Sequence, residues 1–551
     1  MGRFHDRAGT VGGCSLRGAL AGQKIMPDAR NDTRTSAPTV RVGWERVLLA
    51  GALLAGFLAI LAVSATALWM RLAGVNPGGA APIVAAGAVT MALVFALRAR
   101  AGRGPVSTIA RRLPSRLDGA FRRRPLAAGL ASLLTLVAVL QVARLSCFMA
   151  DPALRWGSAF PPVEFGVRHM CMAAYVQAAD LTRQGAPNVY AEEHYPAYGP
   201  GRPESAHPGS SSVANLTPYI RDAFEYPPPF LLLPRAALVL TNDFLIMRTG
   251  WFLLQALLFC AFFLVLAWWV GGRRGILAGL LLSGMLSSFP VLFNWQFGQF
   301  HLAVVMLAMG GMLACEVGRN RFGGALLAGA VVTKLFPGLL LIYLALRRRT
   351  RALLWTMAFA AAYVLAGLLV LGPAPYRAFI EYHLPRVASG EAFSFFLSSD
   401  LTVATNASVS AIPFKLQRLG VPGMSTALAT ILTWIYTALL AGVVVVVARR
   451  HRPSVLEPIV WLGILTLGSL RSPDAPNVYV GASALWLLAL LAADTRGRAG
   501  AVALLVVAWI CISVQPPLSD PKATIALWMS GQIAMLGLGF WALLRRETGG
   551  V

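Results

Sequence analysis

The chain alternates long apolar runs with short polar segments from about residue 46 to residue 545. Each long run has roughly 17–25 residues, which lets an α-helix cross the hydrocarbon core of a bilayer. Strands of a membrane barrel would instead be short segments of alternating polarity. The pattern therefore predicts an all-α polytopic membrane protein with about 12–14 transmembrane segments, some of them broken. The predicted segments are 46–70, 80–98, 125–147, 244–271, 275–294, 300–316, 322–334, 337–346, 352–372, 423–448, 457–472, 477–494, 498–514 and 523–545.

The charge of the chain bears on its partners. The formal net charge is +25, yet only 13% of the residues are charged, against about 25% in soluble proteins. In a soluble protein this excess of positive charge would suggest nucleic acid as a partner. Here the arginines lie in short loops between apolar runs, which is the positive-inside pattern. We therefore expect membrane lipids, and no nucleic acid, as partners.

The basic loops also predict the orientation. Residues 98–124 contain nine arginines and one acid, Asp118, so this loop should be cytoplasmic. Both termini are then predicted to be cytoplasmic. The predicted organisation is a disordered N-terminus (1–45), two upstream spans with the basic loop (46–124), a membrane domain (125–545) with external loops 148–243 and 373–422, and a short tail (546–551).

One span is predicted to be broken. The segment 322–346 contains Lys334 and Pro337 near its middle. As a single crossing it would place the following arginines outside, whereas two half-length segments keep them inside. A helix break at membrane depth is tolerated where it lines protein or water. We therefore expect Lys334 and Pro337 near the outer tip of a broken helix pair.

Polar side chains at membrane depth are the first candidate binding residues. Amides and amines are costly in lipid, so we expect them to face a cavity or a ligand. A carboxamide both donates and accepts, and a lysine is a point cation, which suits sugar hydroxyls and a phosphate. The alternatives are an interhelical hydrogen-bond knot for the amides and snorkelling of the lysine to the interface. The candidate donor-binding residues are Asn294, Gln296, Gln299, His301 and Lys334.

The first external loop supplies candidate bases. Residues 166–184 have apolar positions at helical spacing, which predicts an amphipathic helix on the surface. His169 and Asp180 are eleven residues apart, so they share one face of that helix. A carboxylate there, or Glu164 just before it, could act as a general base toward a hydroxyl. A solvated helix face is the alternative. The candidate catalytic residues are thus Glu164, His169 and Asp180.

Other polar residues of the outer segments are candidates for the acceptor side. The prolines at 227–229 stiffen the chain and would aim the acids before them above the membrane, unless they form only a connector. The apolar stretch 230–240 is too short to cross and should rest at the interface. The candidate acceptor-side residues are Asp222, Glu225, Tyr226, Asp400, Asn406 and Asp474.

Several well-known motifs do not occur in the sequence. It has no Walker P-loop, no HExxH, no GxSxG and no CxxC pair. ATP-driven transport and zinc proteolysis are therefore not indicated. The sequence calls for neither a metal nor a cofactor.

Six stretches follow patterns known from one group of membrane enzymes. They are AAYVQAADLTRQGAPNVY (173–190), FEYPPPFLLLP (224–234), NWQFGQFHLAVVMLA (294–308), GGALLAGAVVTKLFPGLLLIYLALRRR (323–349), TNASVSA (405–411) and RSPDAPNVY (471–479). Together they resemble glycosyltransferase family 87, which has the C-type glycosyltransferase fold. The first two predicted spans look like additions upstream of the family core.

The resemblance implies a membrane hexosyltransferase. Its members move a sugar, usually mannose, from a polyprenyl-phosphate donor to a glycolipid or lipid-linked envelope glycan on the outer face of the plasma membrane. It also implies a catalytic aspartate early in the first external loop. The family's spacing places Cys171 at that position, with Glu164 as the nearest upstream carboxylate, and His301 in place of an asparagine. We expect an inverting displacement with a carboxylate base. The alternatives are a transporter or flippase for a lipid-linked sugar and an inactive homologue that binds glycolipid.

Overall fold

The computed structural model describes residue 71 and residues 125–159, 164–195, 211–450, 456–495 and 499–545. Several predictions fall outside these residues. They are the disordered N-terminus (1–45), the upstream spans (46–70 and 80–98), the basic loop (98–124) and the tail (546–551).

The described part of the chain is helical and contains no β-strand, only isolated bridges. This confirms the predicted all-α fold. Short 3-10 segments and one π-helical turn, Phe379–His383, connect the α-helices. The α-helices are α1 Pro125–Ala150, α2 Glu164–Arg168, α3 Cys171–Arg183, α4 Leu232–Leu240, α5 Phe244–Val270, α6 Gly272–Leu280, α7 Leu282–Leu286, α8 Phe289–Phe297, α9 His301–Glu316, α10 Asn320–Thr333, α11 Gly338–Leu346, α12 Thr350–Leu371, α13 Ala374–Ala378, α14 Leu384–Ser389, α15 Asp400–Thr405, α16 Ile412–Arg418, α17 Thr426–Arg450, α18 Glu457–Ser469, α19 Asn477–Asp494, α20 Ala499–Ser513 and α21 Pro521–Leu544.

Many of these helices fit a membrane. Five of them, α5, α12, α17, α19 and α21, are long and apolar enough to cross it, and a bent pair ending in α8 makes a sixth when counted as one span. Shorter apolar helices, among them α9, α18 and α20, accompany them. The chain is therefore a multi-pass membrane protein. The total of 12–14 crossings stays a prediction.

The span predicted at 275–294 is not one straight helix. The chain bends by 62° between the segment that ends with α7 and helix α8. Ser288 has an extended backbone just before α8, and Pro290 lies in the first turn of that helix. Proline lacks an N–H and favours the first helical turn, so it starts a new helix here and does not continue the one before it.

The predicted break within 322–346 is confirmed. Helix α10 ends at Thr333 and helix α11 begins at Gly338. Lys334 has an extended backbone (φ −145°, ψ 137°), and Pro337 directly precedes α11. The residue pattern that predicted the break therefore coincides with the observed break.

The chain reverses its direction at this break. Arg349, just beyond α11, forms an ion pair of 2.9 Å with Glu316 at the end of α9. The guanidinium of Arg321, at the start of α10, lies 4.8 Å from the centroid of the Trp355 ring in α12. The start of α10 and the end of α11 therefore lie at the same end of the bundle, as the two-segment reading requires.

The candidate spans differ in how deeply they are buried. In α19, 89% of the apolar window is buried, against 11% in α12. The Trp486 ring of α19 lies 5.2 Å from the Phe259 ring and 5.5 Å from the Phe262 ring of α5, measured between centroids. Helix α19 is thus central, and α12 lies at the lipid-facing edge.

The surface helix predicted for 166–184 is wrong in two respects. Helix α2 ends at Arg168, and Met170 has an extended backbone before α3 begins. Here His169 forms a parallel bridge with Ile220. In addition, α3 is buried from Cys171 to Leu181, because the external loop folds over its polar side. The 230–240 stretch does form a short helix, α4, with exposed apolar residues at its end.

Candidate active site

Several helices end at one place, and their polar ends form the candidate active site. Helix α9 begins at His301, and its imidazole Nε2 lies 3.4 Å from the hydroxyl of Ser469 at the end of α18. Lys334 follows the end of α10, and Asn477 begins α19. The opposite ends of these helices and their neighbours carry the ion pairs Glu316–Arg349, Glu457–Arg347, Asp494–Arg274 and Asp494–Arg545. The site therefore lies opposite the arginine-rich end of the bundle.

Gln299 is the centre of a hydrogen-bond network. Its side-chain carbonyl accepts from the hydroxyls of Tyr175 at 2.9 Å and Tyr226 at 2.6 Å. It also accepts from the backbone N–H of Phe300 at 2.6 Å. The turn itself is fastened by Gln255 of α5, whose amide donates to the Gln299 backbone carbonyl at 3.1 Å. Gln299 thus holds two tyrosine hydroxyls in place under the site.

The turn before Gln299 requires glycine. Gly298 has a positive φ of 63° in the left-handed region, which a side chain disfavours. A Cβ at this position would lie 2.8 Å from the Cβ of Met172. Glycine is therefore needed at position 298, because it adopts the turn before Gln299 and leaves room for α3 to approach closely.

Lys334 is held by an aromatic ring. Its Nζ lies 4.9 Å from the centroid of the Tyr226 ring, within the range of a cation–π contact. Two residues later, Phe336 stacks on the His301 imidazole at a centroid distance of 5.0 Å. The helix break thus presents a lysine at the site while Phe336 packs the turn against α9.

His169 and Asp222 form a close pair. The imidazole Nε2 lies 2.6 Å from a carboxylate oxygen of Asp222. The imidazole is enclosed by the rings of Phe165 at 4.4 Å and Phe297 at 4.5 Å between centroids. The two rings fix the orientation of the imidazole, and the imidazole in turn fixes the orientation of the carboxylate. A general base positioned for catalysis is held in this way.

Cys171, at the position where the family resemblance implies an aspartate, lies next to this pair. Its Sγ is 3.0 Å from the Tyr479 hydroxyl of α19 and 3.7 Å from the Gln299 side-chain nitrogen. The thiol is free and buried. The ligand-type atoms of His169, Cys171 and Asp222 all lie within 4.8 Å of one another. A carboxylate is therefore available beside position 171, supplied by a different segment of the chain.

Two further carboxylates complete the acidic part of the site. Burial raises the pKa of Glu225 well above its usual value, and the charges of Asp474 and Asp222 add to this rise while Lys334 opposes it. Burial and the charge of Asp222 raise the pKa of Asp474 to about 7, again against the effect of Lys334. These mutual effects place three carboxylates and one lysine within electrostatic reach of one another.

The loop that carries Asp474 is fastened by Asn406. The Asn406 side chain donates to the carbonyl of Pro473 at 3.0 Å and accepts from the N–H of Ala475 at 3.1 Å. The neighbouring Ala407 N–H donates to the Ala475 carbonyl at 2.8 Å. Asn406 is fully buried, so its role is to position the Asp474 loop rather than to contact an acceptor.

The trio His169, Cys171 and Asp222 is the group of the described residues that could offer three metal ligands. Two ligands of a tetrahedral zinc ion lie roughly 3.3 Å apart, given bonds of about 2.0–2.2 Å. The His169 and Asp222 atoms are 2.6 Å apart. This distance fits a hydrogen bond, and a metal would require the two side chains to separate.

Asp180, a predicted base, is a structural residue. It is fully buried, and its carboxylate accepts from Arg183 at 2.7 Å, Gln184 at 2.8 Å and the Ser212 backbone N–H at 2.9 Å. Burial alone would raise its pKa, but the Ser212 bonds and the Arg183 charge lower it. Because its oxygens are occupied, the assignment of Asp180 as the base is corrected to that of a residue that fastens the external loop.

Glu164, the other predicted base, lies at the start of α2. Its side chain is half exposed and pairs with Arg155, and with Arg168 at 3.9 Å. These arginines hold the carboxylate outside the network around Gln299. The structure therefore favours Asp222 over Glu164 as the carboxylate of the site.

Two of the predicted donor-binding amides are enclosed. Gln296 is fully buried and accepts from the backbone N–H of Ala159 at 2.6 Å, so it binds the external loop to α8. Asn294 is also fully buried, and its amide atoms have no hydrogen-bond partner among the described residues. Neither side chain can reach a lipid donor from outside, which corrects both assignments. Gln299, His301 and Lys334 remain together at the site.

The second external segment lies over the first. Arg386 donates to Glu391 at 2.9 Å and pairs with Glu192 of the first loop. The His383 ring stacks on Tyr190 at 4.7 Å between centroids, and burial lowers the pKa of His383 to about 4. Asp400 instead pairs with Arg418 at 2.9 Å, so it serves the segment itself and is not one of the clustered acids.

The sequence alone did not single out Tyr175 and Tyr479. Each lies in an apolar or proline-containing stretch, where a tyrosine would be interpreted as a packing residue of the hydrophobic core. The available signal was their position inside two of the stretches that carry the family resemblance, 173–190 and 471–479. Their hydroxyls supply contacts to Gln299 and Cys171.

The fold and the site together define a multi-pass helical membrane protein with a polar, acid- and lysine-containing site at one end of its bundle. Residues 224–473 match the family model of Glycosyltransferase family 87. The predicted resemblance to this family of membrane glycosyltransferases is thereby confirmed over residues 224–473. Comparisons with curated proteins and with solved structures found no match.

The matched segment covers only part of the site. It contains Glu225, Gln299 and Lys334, and it ends just before Asp474. The pair His169–Asp222 and the thiol of Cys171 lie outside it. Lys334 therefore lies inside the matched segment, whereas the candidate base, Asp222, lies just outside it.

Proposed function

We propose that this enzyme moves a sugar, with mannose as the first candidate, from a polyprenyl-phosphate donor to a hydroxyl of a lipid-linked or envelope glycan. The observation that carries the proposal is that one network of contacts joins the cation Lys334 to the carboxylate of Asp222. Lys334 contacts the Tyr226 ring, Tyr226 donates to Gln299, and the Cys171 thiol beside Gln299 lies within 4.8 Å of the Asp222 carboxylate. The cation suits the phosphate that leaves. The carboxylate suits the proton of the attacking hydroxyl.

The location of the site supports a lipid-linked donor. The arginines at the opposite end of the bundle follow the positive-inside pattern, so the site faces the outer side of the plasma membrane and both termini are cytoplasmic. A polyprenyl-phosphate sugar can present its head group there while its tail stays among the apolar helices. The partners proposed are therefore a lipid-linked sugar donor and a glycolipid or glycan acceptor.

Asp222 is proposed as the general base in place of the aspartate that the family resemblance implies at position 171. His169 orients its carboxylate from the buried side, and the other side of the carboxylate is open. Glu225 and Asp474 have raised pKa values, so each retains a proton more readily and suits hydrogen bonding to sugar hydroxyls.

The proposed reaction is a single inverting displacement. The acceptor oxygen forms a bond to the anomeric carbon while the bond between that carbon and the phosphate oxygen breaks. The hydroxyl proton passes to Asp222, and the bonding electrons leave with the polyprenyl phosphate. The leaving phosphate gains one negative charge, which Lys334 stabilises, as a cation placed where charge develops does in general. The residues require no further cofactor for this step.

The test is an assay of the purified full chain with radiolabelled polyprenyl-phosphate mannose and a glycolipid extract as acceptor, without ATP. We expect label to enter a new glycolipid, and we expect Asp222→Asn to abolish this transfer. Glu193→Gln, an exposed acid of the same loop, is the matched control and should retain activity. Movement of intact donor across vesicles without a product would support a transporter. Donor binding without either would support an inactive homologue.

A further inference from the structure

A cavity lies at the arginine-rich end of the bundle, where α9, α10 and α12 meet. Its volume is about 430 Å³. The turn after α9 forms one wall, and the first turns of α10 and α12 form the others. The residues that define its chemistry are Arg319, Asn320, Arg321, Phe322, Arg351 and Trp355.

The three arginines of this cavity differ from their neighbours in their partners. Arg349 pairs with Glu316, and Arg347 pairs with Glu457. The cavity is lined by Arg319, Arg321 and Arg351. These three arginines form no ion pair with any residue that the structure describes. Like charges that converge on one cavity repel each other unless an anion lies between them. The cavity therefore has the charge of a site for an anionic group.

The surroundings of the cavity are those of a membrane boundary. Helix α12 is the least buried of the candidate spans. Phe322, which lines the cavity, is 59% exposed, and Leu354 and Met357 of α12 are 68% and 56% exposed. Trp355, which lies under the Arg321 guanidinium, is the residue type that favours the membrane interface. An anion that reaches the arginines from this side would carry apolar chains along α12.

We propose that this cavity binds the head group of an anionic phospholipid. Arginine forks bind phosphate oxygens in a bidentate manner, and basic pockets between membrane helices suit phospholipid head groups. The acyl chains lie against the exposed apolar face of α12. A soluble phosphate would meet the same arginines but would leave that apolar face uncovered. The site is separate from the transfer site and does not depend on the proposed reaction.

The test is native mass spectrometry of the purified full chain with phosphatidylglycerol, with phosphatidylcholine and with glycerol 3-phosphate. We expect phosphatidylglycerol to bind most tightly. The variant R321Q/R351Q should bind it roughly thirtyfold more weakly, from the usual contribution of two basic residues to an anionic lipid surface. The control R449Q/R450Q removes the same charge from the exposed end of α17 and should bind like the unchanged chain.

Three results would overturn the proposal. They are equal binding of phosphatidylcholine, equal binding of glycerol 3-phosphate, and an equal loss of phosphatidylglycerol in the control variant. If R321Q/R351Q fails to fold, the test is photo-cross-linking of the unchanged chain with a phosphatidylglycerol that carries a diazirine in its acyl chain. Cross-links should concentrate on the peptides around Phe322, Leu354 and Met357. An even distribution over the lipid-facing helices would contradict the assignment.

Discussion

The Nε2 atom of His169 lies 2.6 Å from a carboxylate oxygen of Asp222, and the two side chains differ sharply in exposure, at 3% and 47%. The imidazole is thus a fixed, buried partner, while the carboxylate opens toward the site. Under the proposed function, this geometry supplies the carboxylate that Cys171 lacks. The carboxylate comes from a segment fifty-one residues further along the chain and reaches the same place.

Replacement of Asp222 by asparagine should abolish catalysis and leave folding intact. Asparagine keeps the shape but cannot take up the acceptor proton, and loss of a general base lowers rates by roughly 10²–10⁴. The measurement is kcat for sugar transfer, with size-exclusion chromatography as the check on folding. Full activity of the variant would eliminate Asp222 as the base.

His169→Gln tests the positioning role of the histidine. Glutamine can still donate one hydrogen bond, but it lacks the ring that Phe165 and Phe297 enclose. We expect a smaller loss of kcat than for Asp222→Asn, and a changed pH profile because the carboxylate loses its oriented partner. In the double variant with Asp222→Asn, the histidine change should cost nothing more. Additive losses would mean that the two residues act separately.

The fold was predictable where the signals are local. Pro337, the lysine before it and the arginines after residue 346 predicted the break between α10 and α11, and the break is there. The buried state of α3 was not predictable, because its polar residues are covered by distant segments. The Asp180 carboxylate accepts from the Ser212 N–H, and the side-chain carbonyl of Gln177 accepts from Arg221. Periodicity reports an apolar face but not what covers the opposite one.

The site was predictable only in part for the same reason. Gln299, His301 and Lys334 stood out because polar side chains are costly at membrane depth. Gln296 and Asn294 gave the same signal, although they are enclosed in the interior. Asp222 was recognised as a polar residue of the loop. Its pairing with His169 depends on the bridge between His169 and Ile220, and residue spacing does not predict a contact between such distant segments.

Replacement of Lys334 by alanine should weaken the use of the donor. A hydrogen bond or ion contact to a charged group contributes about 1.5–3 kcal/mol, so we expect KM for polyprenyl-phosphate mannose to rise by roughly tenfold or more. The control is Lys522→Ala, an exposed lysine at the start of α21. An unchanged dependence on donor concentration would contradict the assignment of Lys334 to the phosphate.

Replacement of Asp180 by alanine should destabilise the protein instead of acting on the chemical step. The change leaves Gln184 and the Ser212 N–H without their acceptor, and a buried donor left unsatisfied costs about 1–3 kcal/mol. The measurement is the yield of monodisperse protein and its apparent Tm. Glu164→Gln, at a half-exposed carboxylate, is the comparison and should be nearly neutral. A stable but inactive Asp180→Ala protein would restore Asp180 as a candidate base.

Asp474 should make stability depend on pH. Its pKa is about 7 in the folded protein and about 3.9 in an unfolded chain. Between these values the folded state binds more protons, so the free energy of unfolding falls as the pH rises. Asp474→Asn does not titrate, so its apparent Tm should exceed that of the unchanged chain at pH 8, with a smaller gain at pH 5. A variant less stable than the unchanged chain at pH 8 would contradict the raised pKa.

The orientation of the broken helix pair can be tested by cysteine labelling of intact cells. In a chain whose native cysteines are replaced by alanine, single cysteines at Arg319 and Arg348 should react only after the membrane is made permeable, because both lie at the arginine-rich end. A cysteine at Leu335, which is exposed at the break, should react with a membrane-impermeant maleimide from outside. If Arg319 and Arg348 reacted from opposite sides, the segment 322–346 would be a single crossing. If Leu335 reacted only from inside, the site would face the cytoplasm, and a donor presented on the outer face could not reach Lys334.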